Sequence, residues 1–171
     1  MGIYDHVDRL KAAFSRLKMI NYLHREQILP APIEKVWAYF CDPKNLNEIT
    51  PPDMKFEIIA GGDVKMYEGQ IVEYRVEFVR GLRSLWLTEI AHVRENEYFV
   101  DEQRVGPYRF WYHEHSFESV PAGVKMTDHV TYSAPFGLVG DVVNAIWIRQ
   151  RLNGIFDFRY QKIVELFGRV K

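Results

Sequence analysis

Apolar residues recur along this chain with two periods, and their order predicts the architecture. Over residues 1–20, Val7, Leu10, Phe14 and Leu17 return at steps of three or four, with Arg9, Lys11, Arg16 and Lys18 between them. That is the pattern of a short amphipathic helix. Ile20–Leu29 reads as a strand, and Pro30-Ala-Pro32 ends it, because proline cannot continue a ladder but is tolerated in a first helical turn. Ile33, Val36, Trp37 and Phe40 then fall on one helical face. Asp42-Pro43 supplies an N-cap and a first-turn proline, which predicts a second short helix over Pro43–Ile49, ended by Thr50-Pro51-Pro52.

The period then drops to two. Met54–Ile59 is a strand closed by the turn Gly61-Gly62, and Gln70–Arg80 sets Val72, Tyr74, Val76 and Phe78 against Glu73, Arg75 and Glu77. Short turns at Gly81, Glu95-Asn96, Gly106-Pro107 and Pro121-Ala-Gly123 separate Leu82–Arg94, Glu97–Val105, Tyr108–Val120 and Val124–Ala134, which makes an antiparallel meander. After Pro135-Phe-Gly137, helical spacing through Val142, Ile146, Leu152, Ile155, Phe156, Ile163 and Phe167 predicts one long helix over 139–168. The expected fold is α+β: a seven-stranded curved antiparallel sheet wrapped around a long C-terminal helix, with two short helices after the first strand. Residues 1–20 are an N-terminal amphipathic extension and 21–171 the domain. Only the long helix can cover one face of the sheet, and the short helices close one end of the groove. A cavity is left between them.

Composition supplies what must fill or line that groove. Aromatic residues make up 15% of 171, and the net charge is −1. The charge gives no footprint for nucleic acid or anionic membrane. A lone cysteine, Cys41, rules out a disulfide framework and reads as a small buried hydrophobe. No uncharged run reaches the ~18 residues of a membrane span, and Asp5, Asp8 and Arg9 interrupt any signal-peptide core, so the expected location is cytoplasmic. The basic N-terminal helix packs on the domain or on a second subunit, the latter giving a homodimer through the extension. A membrane-surface role is the weaker reading, since four apolar anchors form a modest face.

Alternation also assigns the strand faces. Glu114 and Glu118 are hard to bury unpaired, so Trp111, His113, His115 and Phe117 point inward and Tyr108, Phe110 and Tyr112 outward. By the same logic Met126, Asp128, Val130 and Tyr132 point inward, as do Phe99, Asp101, Gln103 and Val105. Trp86, Thr88 and Ile90 are the inward set of Leu82–Arg94. The candidate ligand-binding residues are Trp86, Phe99, Asp101, Gln103, Trp111, His113, His115, Phe117, Asp128 and Tyr132, polar groups converging on an aromatic wall. The two aspartates and two histidines can also simply satisfy one another in the core. Asp–His pairs can do general acid–base work on an aromatic-bound substrate. His-x-His is weak evidence for a metal on its own, and neither metal nor cofactor is assigned. No Gly-x-Ser-x-Gly, phosphate loop or dinucleotide fingerprint is present. Gly154, in mid-helix, allows close approach of the sheet or a ligand, or plain packing against a bulky ring.

Leu29-Pro-Ala-Pro-Ile-Glu-Lys-Val-Trp37, Phe40-Cys-Asp-Pro-Lys-Asn-Leu46 and Ile49-Thr-Pro-Pro52 resemble the opening of a bacterial SRPBCC protein. This is the START-like, pollen-allergen-like helix-grip superfamily, which includes polyketide cyclases/dehydrases and coenzyme Q-binding proteins. Asp101-x-Gln103, Gly106-Pro-Tyr-x-x-Trp111-x-His113-x-His115-x-Phe117 and Asp128-x-Val130-x-Tyr132-x-x-Pro135 resemble a ligand-binding bacterial subgroup. The resemblance covers about residues 21 to 168. It implies a hydrophobic cavity between sheet and helix, used for lipids, polyketides, sterols or quinones, with Asp101, Gln103, Trp111, His113 and His115 on its lining. The functional expectation is intracellular binding of a hydrophobic or aromatic small molecule of lipid, polyketide or quinone class. The alternatives are a cyclase/dehydratase or hydrolase-like enzyme using an Asp–His pair, and a protein-interaction module. Fold alone does not choose among them.

Overall fold

A computed structural model describes residues 20–135 and 137–170. The N-terminal extension, with the helix expected there, lies outside the described residues apart from Ile20. Strand β1 (Asn21–Leu29) leads into α1 (Ile33–Phe40), then into two single-turn 3-10 segments, Pro43–Asn47 and Pro52–Met54. The strands β2 (Glu57–Ala60), β3 (Ile71–Val79), β4 (Leu82–Arg94), β5 (Tyr98–Val105), β6 (Phe110–Val120) and β7 (Gly123–Ser133) follow. The chain closes with α2 (Gly137–Val143), a π segment (Asn144–Ile148) and α3 (Arg149–Phe167). The seven strands form one antiparallel sheet in the order β1-β7-β6-β5-β4-β3-β2. The α+β helix-grip architecture is the one the pattern predicts. No described helix is long and apolar enough to cross a membrane.

Local chemistry explains the joints. Asp42 Oδ1 accepts from the Lys44 N–H at 3.0 Å, capping the turn that Pro43 begins. That turn stays 3-10 and ends at Asn47, shorter than the expected helix. β2 starts later than Met54, because Met54 is drawn into the second 3-10 turn and buried. Gly61 is required where β2 passes to β3: its φ is +79°, and a Cβ there would lie 2.1 Å from the Ile71 carbonyl oxygen.

Two apolar clusters form on the concave side of the sheet. One joins Val76, Phe78, Trp111, Val130 and Tyr132 to Leu152, Ile155 and Phe156 of α3. The other joins Val36, Trp37 and Phe40 of α1 to Phe99, Phe117, Met126 and Ile163. Trp37 meets Phe117 edge-to-face at 5.6 Å, so the second cluster plugs the α1 end of the groove.

Four sequence expectations are corrected. Val142 and Ile146, expected on the buried helix face, are 52% and 72% exposed. The π segment shifts the helical phase, so Asp141, Asn144 and Ile148 are buried instead, and Asn144 Nδ2 donates to Asn21 Oδ1 at 2.9 Å. Val105 is exposed, because Leu87 pairs with Val105 while Thr88 pairs with Gln103. Arg104 is therefore an extra residue, a bulge that turns Val105 off the inward face. Tyr108, expected outside, is buried, because it belongs to a turn and not to a strand. There Gln103 Nε2 donates to the Tyr108 carbonyl at 2.7 Å, and the Tyr108 N–H donates to Gln103 Oε1 at 3.2 Å. Gly154 is exposed and a Cβ on it would meet nothing within 4 Å, so neither the sheet nor a bulky ring among the described residues approaches it.

Candidate functional site

Between the sheet and α3 lies a cavity of about 150 Å³. Leu46, Ile49 and Met54 border it from the turns, Val76, Trp86 and Thr88 from the sheet, and Leu152 and Phe156 from α3. Its aromatic wall ends on a charged group carried by three adjacent strands. Asp101 of β5 is directly opposite His113 of β6, and His115 of β6 is directly opposite Asp128 of β7. Residues at i and i+2 share a sheet face, so the register delivers all four side chains to one place.

The ring nitrogens divide between the two carboxylates. His113 Nδ1 and His115 Nε2 lie 3.3 and 2.9 Å from Asp101 Oδ2. His113 Nε2 and His115 Nδ1 lie 2.9 and 3.0 Å from Asp128 Oδ1, the latter without hydrogen-bond alignment. Trp111 Nε1 donates to the other oxygen of Asp101 at 3.1 Å. The imidazoles sit 3.7 Å apart, and Phe99 stacks on His115 at 4.2 Å. Arg159 of α3 completes the group. It is only 8% exposed, its Nη1 is 3.8 Å from Asp128 Oδ1, and its Nε and Nη1 have no hydrogen-bond partner among the described residues.

Burial alone would raise the Asp101 carboxyl, but the charge of His113 and hydrogen bonds from both histidines outweigh it and hold it well below the usual range. Asp128 is depressed in the same way, against burial, by hydrogen bonds from His113 and His115 and by their charge. Burial pulls His113 down, yet the two carboxylates win and raise it. An ionised carboxylate only accepts, so His113, with its two nitrogens on the oxygens of two carboxylates, is best satisfied as imidazolium.

Of the expected lining residues, Trp86, Phe99, Asp101, Trp111, His113 and His115 border the cavity. Asp128 stands behind the histidines. Tyr132 packs a layer deeper, edge-on to Tyr108 at 5.8 Å. Phe117 belongs to the α1 cluster, and Gln103 braces the β5–β6 turn. Arg159 escaped the sequence reading. The available signal was a cation inside the apolar stripe Leu152, Ile155, Phe156, Ile163. A shallower depression of about 420 Å³ lies outside α1, but charges of both signs, Glu34, Lys44, Asp63 and Lys65, rim it without converging. Cys41 beside it is buried, and burial pushes its thiol up to about 12, so it holds no thiolate nucleophile.

The sheet order, the gripped C-terminal helix and the cavity between them define a helix-grip fold. Solved structures with this fold bear that out. A protein of Chromobacterium violaceum is 14% identical, covering 86% of this chain and 98% of its own, with a TM-score of 0.65. The ZhuI aromatase/cyclase of Streptomyces sp. R1128 is 14% identical over 85% of this chain and 92% of its own, at a TM-score of 0.67. The major latex-like protein 151 of Panax ginseng is 12% identical over 88% and 99%, at 0.64. At such identities the likeness concerns the fold. No protein-family model and no curated protein matches the chain.

Proposed function

We propose that this protein binds a small apolar molecule, one or two rings in size, whose polar handle reaches Arg159 beside Asp101, His113 and His115. The observation that carries the reading is a cavity walled by Trp86, Phe99 and Trp111 that ends on a buried charged group with donors to spare at Arg159. Buried donors without partners are unfavourable by about 1–3 kcal/mol each, and a ligand acceptor removes that penalty. The volume sharpens the class. About 150 Å³ accommodates a benzene-sized guest. The ring end of a polyketide or quinone fits, whereas a long lipid or a sterol requires the walls to part.

Binding is favoured over acid–base catalysis, because each imidazole faces carboxylates with both nitrogens and keeps none for a substrate. A filled core, on which an interaction module would rest, is not what the groove contains.

The test is quenching of Trp86 and Trp111 fluorescence by naphthol and naphthoic acid, in the wild type and in Val76→Phe, which narrows the cavity from β3. Saturable quenching that Val76→Phe weakens at least tenfold is expected. Equal binding by a folded Val76→Phe variant would place the ligand elsewhere and end the proposal.

A further inference from the structure

We propose that Asp101, His113 and His115 form a site for a divalent first-row transition-metal ion, open to the cavity, with Asp128 orienting the His113 imidazole from behind. One donor atom from each of the three residues lies within 4.8 Å of the others. The nitrogens are already divided as a metal-bound histidine pair requires. His113 Nδ1 and His115 Nε2 both lie on the Asp101 Oδ2 side, His113 Nε2 is hydrogen-bonded to Asp128 Oδ1 at 2.9 Å, and His115 Nδ1 lies 3.0 Å from that oxygen without hydrogen-bond alignment. A carboxylate behind a ligating histidine fixes the tautomer and raises the basicity of the nitrogen that binds the ion.

The spacing agrees with this arrangement. Bonds of about 2.0–2.1 Å in tetrahedral geometry place neighbouring donors about 3.3 Å apart. Asp101 Oδ2 lies 2.9 and 3.3 Å from the two inner nitrogens. The Trp111 N–H holds Oδ1, which leaves Oδ2 as a single donor. All three ligands border the cavity and Asp128 does not, so the remaining coordination position faces the cavity, where water or a ligand oxygen can enter.

Charge also admits a cation. With neutral imidazoles, Asp101, Asp128 and Arg159 sum to −1, and a divalent ion brings the group to +1, matched to an anionic handle. The donors are two imidazoles and one carboxylate with no thiolate, a set that suits zinc, iron(II) or cobalt(II) better than calcium or magnesium. The rival occupant is a proton on His113.

This inference goes beyond ligand binding and is tested without an organic ligand, so the two can fail separately. Chelator-stripped full-length protein is titrated with cobalt(II), followed by visible absorption and proton NMR, and zinc is then used to displace the cobalt. One ion per chain is expected, with ligand-field bands and a hyperfine-shifted N–H signal slow to exchange, from the His113 ring held by Asp128. His115→Gln and Asp101→Asn should abolish uptake, and Asp128→Asn should weaken it by about 10–100-fold. His129→Ala, which breaks the exposed His24–His129 pair, should change nothing. The proposal fails if the folded wild type takes up no cobalt, if its spectrum lacks the protected His113 N–H signal, or if His129→Ala removes the uptake.

Discussion

Gly154 sits on the solvent side of α3 in helical conformation, with open space where a Cβ would go. Gly154→Ala should therefore raise stability by about 0.5–1 kcal/mol, read as a higher urea midpoint at unchanged m-value. A lower midpoint would reveal a contact the backbone position does not suggest. The charged group sets a pH response in chelator-treated protein. Asp101 and Asp128 are held below their ordinary 3.8, so their contribution is present above that value and is lost as pH falls through the folded values. His113 is raised above 6.5, so its contribution is complete below 6.5 and is lost as pH rises through its folded value. Stability measured by urea should plateau between these limbs, and Asp128→Asn should flatten both. An unchanged profile in that variant would show that the coupling is not real. Asp101, His113, His115 and Asp128 were legible because charged neighbours such as Glu114 fixed the face by exclusion. Arg159 was not, because a long cation reads as solvent-facing unless its flanking apolar residues are weighed first.

Strands and turns carried the clearest signal among the elements, and the errors fall where a period slips. Arg104 inserts one residue into β5, which flips Val105, and the Gln103 clamp makes Tyr108 a turn residue. Neither event leaves a mark on alternation itself. Gln103→Leu removes both hydrogen bonds to the Tyr108 backbone and should destabilise by about 1–3 kcal/mol in urea unfolding. An effect near zero would mean the turn holds itself. The helical face was legible from Leu152 onward and misread before it. Leu152→Ala should be destabilising by about 2–5 kcal/mol, while Ile146→Ala should stay within about 0.5 kcal/mol. Comparable effects at the two positions would contradict the phase shift between them.

Across the whole molecule, the aromatic residues that composition flagged divide into two populations. Trp37, Phe40 and Phe117 seal the α1 end, whereas Trp86, Phe99 and Trp111 wall the cavity. Sequence could place them on inward faces but could not separate plug from wall, since that depends on where α1 lands against the sheet. The fold was legible in full outline, and the cavity's existence followed from the need to cover a curved sheet with one helix. Its size did not, because volume depends on how Leu46, Ile49 and Met54 close over the groove. A guest that occupies the cavity should stabilise the molecule by mass action, by about 2.7 kcal/mol at a hundredfold excess over Kd. A melting temperature that stays flat while fluorescence saturates would mean surface adsorption.

The π segment at Asn144–Ile148 has a heritable side. Such a segment holds one residue more than an α-helix uses over the same span, so losing a single codon there would restore continuous α geometry. Everything upstream would then turn by about 100° about the helix axis. Val142 and Ile146, now facing water, would swing away from it, and Asn144 would leave Asn21 on the edge strand. One triplet therefore separates two surfaces for this end of the molecule, one presenting an apolar ridge and one concealing it.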